Sequence, residues 1–219
     1  MNPAKPVTPG EPSRQSLKPI PPDGPCRTLI LIPIIHTQAD MGALSQTIRQ
    51  MTIQTLGKTG WERKVNTIEE LWRRIEKAIG ARALNYPQVR LYQDGLPVCG
   101  RESEIVNDLA NAGSRNHQLL LRLMSKGATL MGTESAELLV QEYQFVKQLL
   151  DSKEKSASAP PKDQQIQVSR SLLKQRDQAI ASRINATLEP GETGLLFLGM
   201  LHSVNSFIEP KIALIQLDY

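Results

Sequence analysis

Two unbroken apolar runs constrain this chain more than anything else in it: Leu-Ile-Leu-Ile-Pro-Ile-Ile at 29–35 and Leu-Leu-Phe-Leu-Gly-Met-Leu at 195–201. Neither alternates with polar residues, so neither reads as a strand with one wet face. Each reads as a strand covered on both sides, the situation in a parallel sheet sandwiched by helices. Parallel neighbours need crossovers long enough to hold a helix, and the sequence between the runs supplies them.

Helical patterns occupy 40–56 and 67–84. In the second, Thr67-Ile-Glu-Glu70 reads as a capping box, and Ile68, Leu71, Trp72, Ile75 and Ile79 form one apolar face. A strand at 89–92 ends in Gln93-Asp94-Gly95. There Asp-Gly reads either as a hairpin turn into Leu-Pro-Val-Cys-Gly or as a functional strand end. Helices follow at 102–112 and 114–126, a strand at 128–131, and a helix at 135–150 carrying Leu138, Leu139, Tyr143, Val146 and Leu149 on one side. A helix at 165–188 and strands at 194–201 and 212–217 complete the chain. This alternation predicts an α/β fold: a single domain over 27–219, with a mostly parallel central sheet and helices on both faces. The charged, Ser/Ala/Pro-rich stretch 151–163 reads as a flexible loop within it. Residues 1–26 read as a disordered tail, with eight prolines in the first 25 residues and no apolar core of a secretory signal.

Composition narrows the partners. The 26 basic and 22 acidic residues are scattered and aromatics make up only 4%, which argues against a nucleic-acid partner. The longest apolar run falls far short of the roughly 20 residues needed to cross a bilayer, so no membrane partner is expected. Two cysteines, Cys26 and Cys99, make no disulfide framework, and a cytoplasmic location is the simpler expectation. Neither GxGxxG nor GxxxxGK[ST] occurs, so no nucleotide cofactor is expected.

Ligands of open parallel sheets bind beyond the carboxyl ends of the strands. Three strands finish there in a chemically capable residue: His36 after the first run, Glu134 after Ala128-Thr-Leu-Met131, and His202 after the last run. Brought together, two imidazoles and a carboxylate would bind a divalent metal (manganese, cobalt or zinc) or perform general-base work. The plainer alternatives are hydrogen-bonded structural histidines and a Glu134 that complements the helix starting beside it. Asp40 reads as the N-cap of the helix it begins, with a site role as the alternative, and His117 reads as an ordinary helix residue. Arg176 precedes the last His-bearing strand; it either clamps an anionic group in the crevice or lies on a solvated face.

The segment Arg176-Asp177 through Gly199-Met-Leu-His202 resembles the C-terminal motif of the TraB/PrgY and Tiki-like proteins, a group related to ChaN-type proteins and erythromycin esterases. In that motif an Arg-(Asn/Asp) helix leads to an apolar strand ending in Gly-x-x-His. The family's other Gly-x-x-His closes its first strand. Here Pro33-Ile-Ile-His36 stands in that place, with proline for glycine, and Glu134 is the best-placed match to the expected internal acid. The resemblance implies a hydrolytic site, metal-dependent or using a histidine base.

Two functions are therefore expected. One is a hydrolase of a small-molecule or peptide substrate, with His36, Glu134 and His202 around a divalent ion or acting without it, and Arg176 steadying the developing anion. The other is a non-catalytic binding or regulatory protein that uses the crevice or the proline-rich tail.

Overall fold

The computed structural model describes residues 26–37, 39–40, 45–155 and 161–219, without the side chains of 151–155. Most of the proline-rich tail, residues 1–25, lies outside the described residues. Both apolar runs form strands, β1 (Arg27–Ile34) and β4 (Thr193–Gly199), although Ile35, Met200 and Leu201, expected to continue them, lie beyond the strand ends; the two strands are parallel neighbours in the sheet. With β2 (Val89–Gln93), β3 (Thr129–Met131) and β5 (Ile212–Gln216) they form a five-stranded, all-parallel sheet in the order β3-β2-β4-β1-β5. The α/β architecture expected from the sequence is therefore the observed one.

Alternate side chains of the central strands feed two cores, one on each face. Ile30, Ile32 and Ile34 of β1 and Leu195 and Phe197 of β4 face one core; Leu29, Leu196 and Leu198 face the other. The first core is covered by α1 (Ser45–Gly80), α2 (Glu102–Asn111) and α3 (Arg115–Met124), through Trp72, Ile75, Ile79, Val106, Leu119, Leu120 and Leu123. The second is covered by α5 (Lys162–Thr187), through Ile180, Ala181 and Ile184. α4 (Ala136–Lys155) packs on α5. Burying one such aliphatic side chain is worth about 1.5–3 kcal/mol, which is why an unbroken apolar strand is stable only between two helical layers.

Pro33 inside β1 removes no ladder bond. In a parallel strand the N–H and C=O of one residue point to the same side. The last register pair with β5 is Leu31 with Gln216, and the Pro33 carbonyl beyond it accepts from the Tyr219 hydroxyl.

Several local expectations need correction. The helices expected at 40–56 and 67–84 are one helical run, Ser45–Gly80, interrupted at Gly57 (φ 71°, ψ 170°). Only glycine adopts that backbone readily, so the break belongs there. Thr67 caps nothing: its hydroxyl donates to the Arg63 carbonyl within the helix. No hairpin follows Asp94. Gly95 (φ 78°) instead closes a tight turn in which the Leu96 N–H reaches the Gln93 carbonyl, and β2 is flanked by two parallel partners. Helix also replaces both ends of the expected 151–163 loop, because α4 runs to Lys155 and α5 starts at Lys162, leaving 156–160 outside the described residues. The apolar side expected for α4 is only half-covered, with Tyr143 43% exposed, because α4 packs chiefly on another helix, α5.

Candidate active site

β2 and β4 are neighbours whose outgoing connections leave in opposite directions, toward β3 at one edge and β5 at the other. Such a switch point opens a crevice at the carboxyl ends of the strands. Asp94 follows β2 there, His202 follows β4, and His36 follows β1, the next strand along.

The three side chains meet on one carboxylate oxygen. Asp94 Oδ2 lies 3.1 Å from His36 Nε2 and 3.5 Å from His202 Nε2, and it accepts the Gly199 N–H at 2.9 Å. The other oxygen, Oδ1, accepts from the Arg176 guanidinium at 2.7 Å. Gly199 explains the spacing of Gly-x-x-His. The His202 N–H bonds back to the Gly199 carbonyl at 3.0 Å, a turn that throws Met200 and Leu201 into solvent and returns the imidazole to the interior. A Cβ at Gly199 would stand 2.8 Å from Asp94 Oδ2 and 3.5 Å from His36 Nε2, inside the cluster itself.

Arg176 is buried, and each of its guanidinium nitrogens is bonded. Nε and one terminal nitrogen grip the two oxygens of Glu134 at 2.7 and 2.6 Å, that same terminal nitrogen reaches Asp94, and the other reaches Glu142 at 2.6 Å. Glu134 Oε1 also accepts the Gly95 N–H at 2.7 Å. The structure thus brings His36 and His202 together on Asp94, and sets Glu134 behind them, one guanidinium away. The solvated face considered for Arg176 is not what is found. With four of its five N–H donors bonded to carboxylates, Arg176 positions Asp94.

His202 Nδ1 lies 2.6 Å from Asp177 Oδ1, and Asp177 Oδ2 accepts the Ser203 N–H at 3.0 Å. The sequence motif contains Asp177 but assigns it no contact, because its partner is 25 residues away in the chain. Asp94 stands at the centre of the cluster. It ends a strand just as the histidines do, but its Asp-Gly pair carries a turn signal that pointed elsewhere.

The charges follow from these contacts. Burial disfavours a charged His36 or His202, but the Asp94 carboxylate outweighs it, joined by Asp177 at His202, and both imidazoles are raised above 6.5. Burial likewise opposes ionisation of Asp94, yet hydrogen bonds from His202 and His36 hold its carboxyl well below the usual carboxylate range. Glu134 is pushed up, by burial first and also by the neighbouring Asp94, against the pull of Arg176.

A second polar cluster anchors the loop that carries His36. Asp40 Oδ2 accepts the Thr37 N–H at 2.6 Å and its hydroxyl at 2.9 Å, while Asp40 Oδ1 accepts from the Ser114 hydroxyl. Ser114 is the N-cap of α3, and its oxygen lies 2.7 Å from His117 Nδ1. The helix described after Asp40, α1, starts at Ser45, and among the described residues the Asp40 carboxylate is engaged in tying the loop after β1 to the start of α3. His117 is not an ordinary helix residue. It is buried and lies 3.3 Å from Asp40 Oδ1, and this contact, with the Ser114 and Thr37 bonds, overcomes burial to lower the Asp40 carboxyl.

The expected metal ligands His36, Glu134 and His202 do not make a fitting donor set, because both Glu134 oxygens are bonded to Arg176. Among the described residues no group of three or more His, Cys, Asp or Glu side chains is arranged to hold a metal ion. His36, 30% exposed at its side chain, is the member of the cluster that opens to solvent, and it lines a cavity of about 430 Å3.

The chain matches no family model, no curated protein and no solved structure. Among the described residues no helix is long and apolar enough to cross a membrane.

Proposed function

We propose that the chain is a hydrolase of an ester or peptide bond in which His36 is the general base. The observation that carries the reading is the pairing of a partly exposed imidazole with a buried carboxylate, His36 Nε2 to Asp94 Oδ2 at 3.1 Å, at the rim of a cavity. Asp94 fixes the tautomer with the proton on Nε2, which leaves Nδ1 as the basic atom; among the described residues Nδ1 makes no hydrogen bond. Water gives a proton to Nδ1 as it attacks the carbonyl, and the proton passes to the leaving group as the bond breaks. The Asp94 carboxylate stabilises the imidazolium formed in between. Asp177 and His202 brace the opposite side of Asp94, and Arg176, held by Glu134 and Glu142, fixes its remaining oxygen. The resemblance to the TraB/PrgY and Tiki-like proteins points to the same reaction class. No step runs through a metal ion, given the engaged Glu134.

The test is a panel of p-nitrophenyl esters and fluorogenic peptides assayed from pH 6 to 9, with and without EDTA. Turnover is expected to rise with pH through an apparent pKa above 6.5, to survive EDTA, and to fall about 10²–10⁴-fold in His36→Ala, the usual worth of a general base. Absence of turnover across the panel, or undiminished turnover in His36→Ala, refutes it. Activity that EDTA abolishes and manganese, cobalt or zinc restores refutes the metal-free base.

A second reading draws on the buried side chains Arg176, Asp94, His202 and Asp177, each in contact with the next. A network this closed also suits a non-catalytic binding protein, and the absence of turnover above is its signature.

A further inference from the structure

The break at Gly57 divides α1 into two pieces, and the cavity beside His36 lies against both. Arg49 comes from the first piece; Trp61, Lys64, Ile68 and Glu69 come from the second. Arg49 and Lys64 are exposed, and among the described residues neither forms an ion pair. Glu69, the acidic member of the lining, lies 3.6 Å from Arg115 and is offset by it. The cavity is thus apolar on Trp61 and Ile68, with these two cations at its edge and the His36 imidazole on its wall. Its volume, about 430 Å3, is in the range of small-molecule sites.

We propose that this cavity takes an organic anion, with a compact carboxylate or phosphate head met by Arg49 and Lys64 and an apolar body laid on Trp61 and Ile68. As an assignment of substrate class it rests on His36 being the reacting group; as a binding site it does not. Charge complementarity selects the head: a cationic ligand would meet two like charges at the entrance, and a neutral one would leave them idle. The apolar floor selects the body, since burial of hydrocarbon against an indole and an isoleucine favours an aliphatic chain over a sugar or a polar peptide. Gly57 holds the shape. Its φ of 71° with ψ of 170° is a conformation that a Cβ strains, although a Cβ there would touch nothing within 4 Å.

The test measures binding apart from turnover. Trp61 lines the cavity and Trp72 is fully buried, so ligand-dependent quenching of tryptophan fluorescence reports on Trp61. The probes are octanoate, octyl phosphate, octanol and octylamine, each below its aggregation concentration. Octanoate or octyl phosphate is expected to bind at least tenfold more tightly than octanol, and octylamine more weakly still. The better of the two anions identifies the head group. Arg49→Gln combined with Lys64→Gln, both at exposed positions, is expected to weaken the anion by about tenfold while leaving octanol unchanged, and raised salt to do the same. Gly57→Ala is expected to weaken every probe. Equal affinity for anion and alcohol, or an unchanged anion affinity in the double variant, overturns the proposal. Selective anion binding without any turnover removes the hydrolase and keeps this site, whereas turnover indifferent to substrate charge keeps the hydrolase and removes this site.

Discussion

Replacing Asp94 by asparagine tests the cluster at its centre. The carboxylate accepts from Arg176 at 2.7 Å, from Gly199 at 2.9 Å and from His36 at 3.1 Å, with His202 at 3.5 Å. An amide of the same shape has one acceptor oxygen and one donor nitrogen. Whichever way it turns, its NH2 group faces either the guanidinium or the Gly199 N–H and His36 pair, donor against donor, and Arg176 loses part of its countercharge. Breaking a buried ion pair from one side costs about 3–5 kcal/mol, against the roughly 5–15 kcal/mol that a domain has in total. Urea unfolding at a series of pH values reads both the loss and its cause. Because the folded His202 is raised above 6.5, its stabilising contribution is complete below pH 6.5 and is lost as the pH rises through the folded value. Asp94 behaves in the opposite sense: its contribution is present above about pH 3.8 and is lost as the pH falls through its depressed folded value. Wild type should therefore weaken on both sides. Asp94→Asn should start about 3–5 kcal/mol lower at pH 6 and show a flatter profile, with only the Asp177 part of the alkaline slope left. A variant within about 0.5 kcal/mol of wild type, the scatter of an ordinary surface substitution, or one with the wild-type pH profile, would refute the reasoning.

Two further substitutions probe the supports of the cluster. Gly199→Ala forces a methyl to within 2.8 Å of Asp94 Oδ2 and should cost about 1–3 kcal/mol of overpacking in thermal unfolding, together with most of the turnover proposed above; a neutral result would mean that the Gly-x-x-His glycine is not a steric requirement. Ser114→Ala removes the α3 cap and the hydroxyl on Asp40, with an expected loss of about 1–2 kcal/mol and a fall in kcat that Ser114→Thr restores. If kcat were unmoved in Ser114→Ala, the Asp40 tie would be irrelevant to His36.

Elements that depend on local pattern are legible in the chain itself. Residues 29–34 and 195–198 carry their burial in their composition, and Ile68, Trp72, Ile75 and Ile79 carry theirs in their spacing, because both depend only on neighbours along the chain; Met200 and Leu201 are equally apolar and lie in solvent, because the turn to His202 ends the strand at Gly199. Boundaries are less legible. Thr67-Ile-Glu-Glu70 has the composition of a cap, but a helix already under way does not stop at a threonine, and the actual break at Gly57 shows in the sequence only as one glycine among helix formers. The 151–163 stretch has the composition of a loop and is helical at both ends, since charged residues are compatible with helix and composition alone does not mark where a helix stops.

At the site, the residue types at the strand ends are legible and their pairing is not. His36 and His202 stand out because an apolar strand that ends in an imidazole presents it at the sheet edge. Which carboxylate meets them depends on strand order, and strand order is a property of the packed sheet. With β4 inserted between β2 and β1, the ends of these three strands lie side by side and Asp94 reaches both histidines, while Glu134, at the end of the edge strand β3, meets Arg176. Asp177 and Asp40 become partners of His202 and Ser114 only through the docking of α5 and of the β1 loop.

Hydrophobic periodicity is a local quantity, and it suffices to make this chain a helix-covered parallel sheet with histidines at its carboxyl edge. It took the assembled sheet to join Asp94 to those histidines, to spend Arg176 on carboxylates, and to turn His36 toward a cavity. Contacts between residues 58 to 105 positions apart arise from the order in which strands pair, and no local pattern encodes that order.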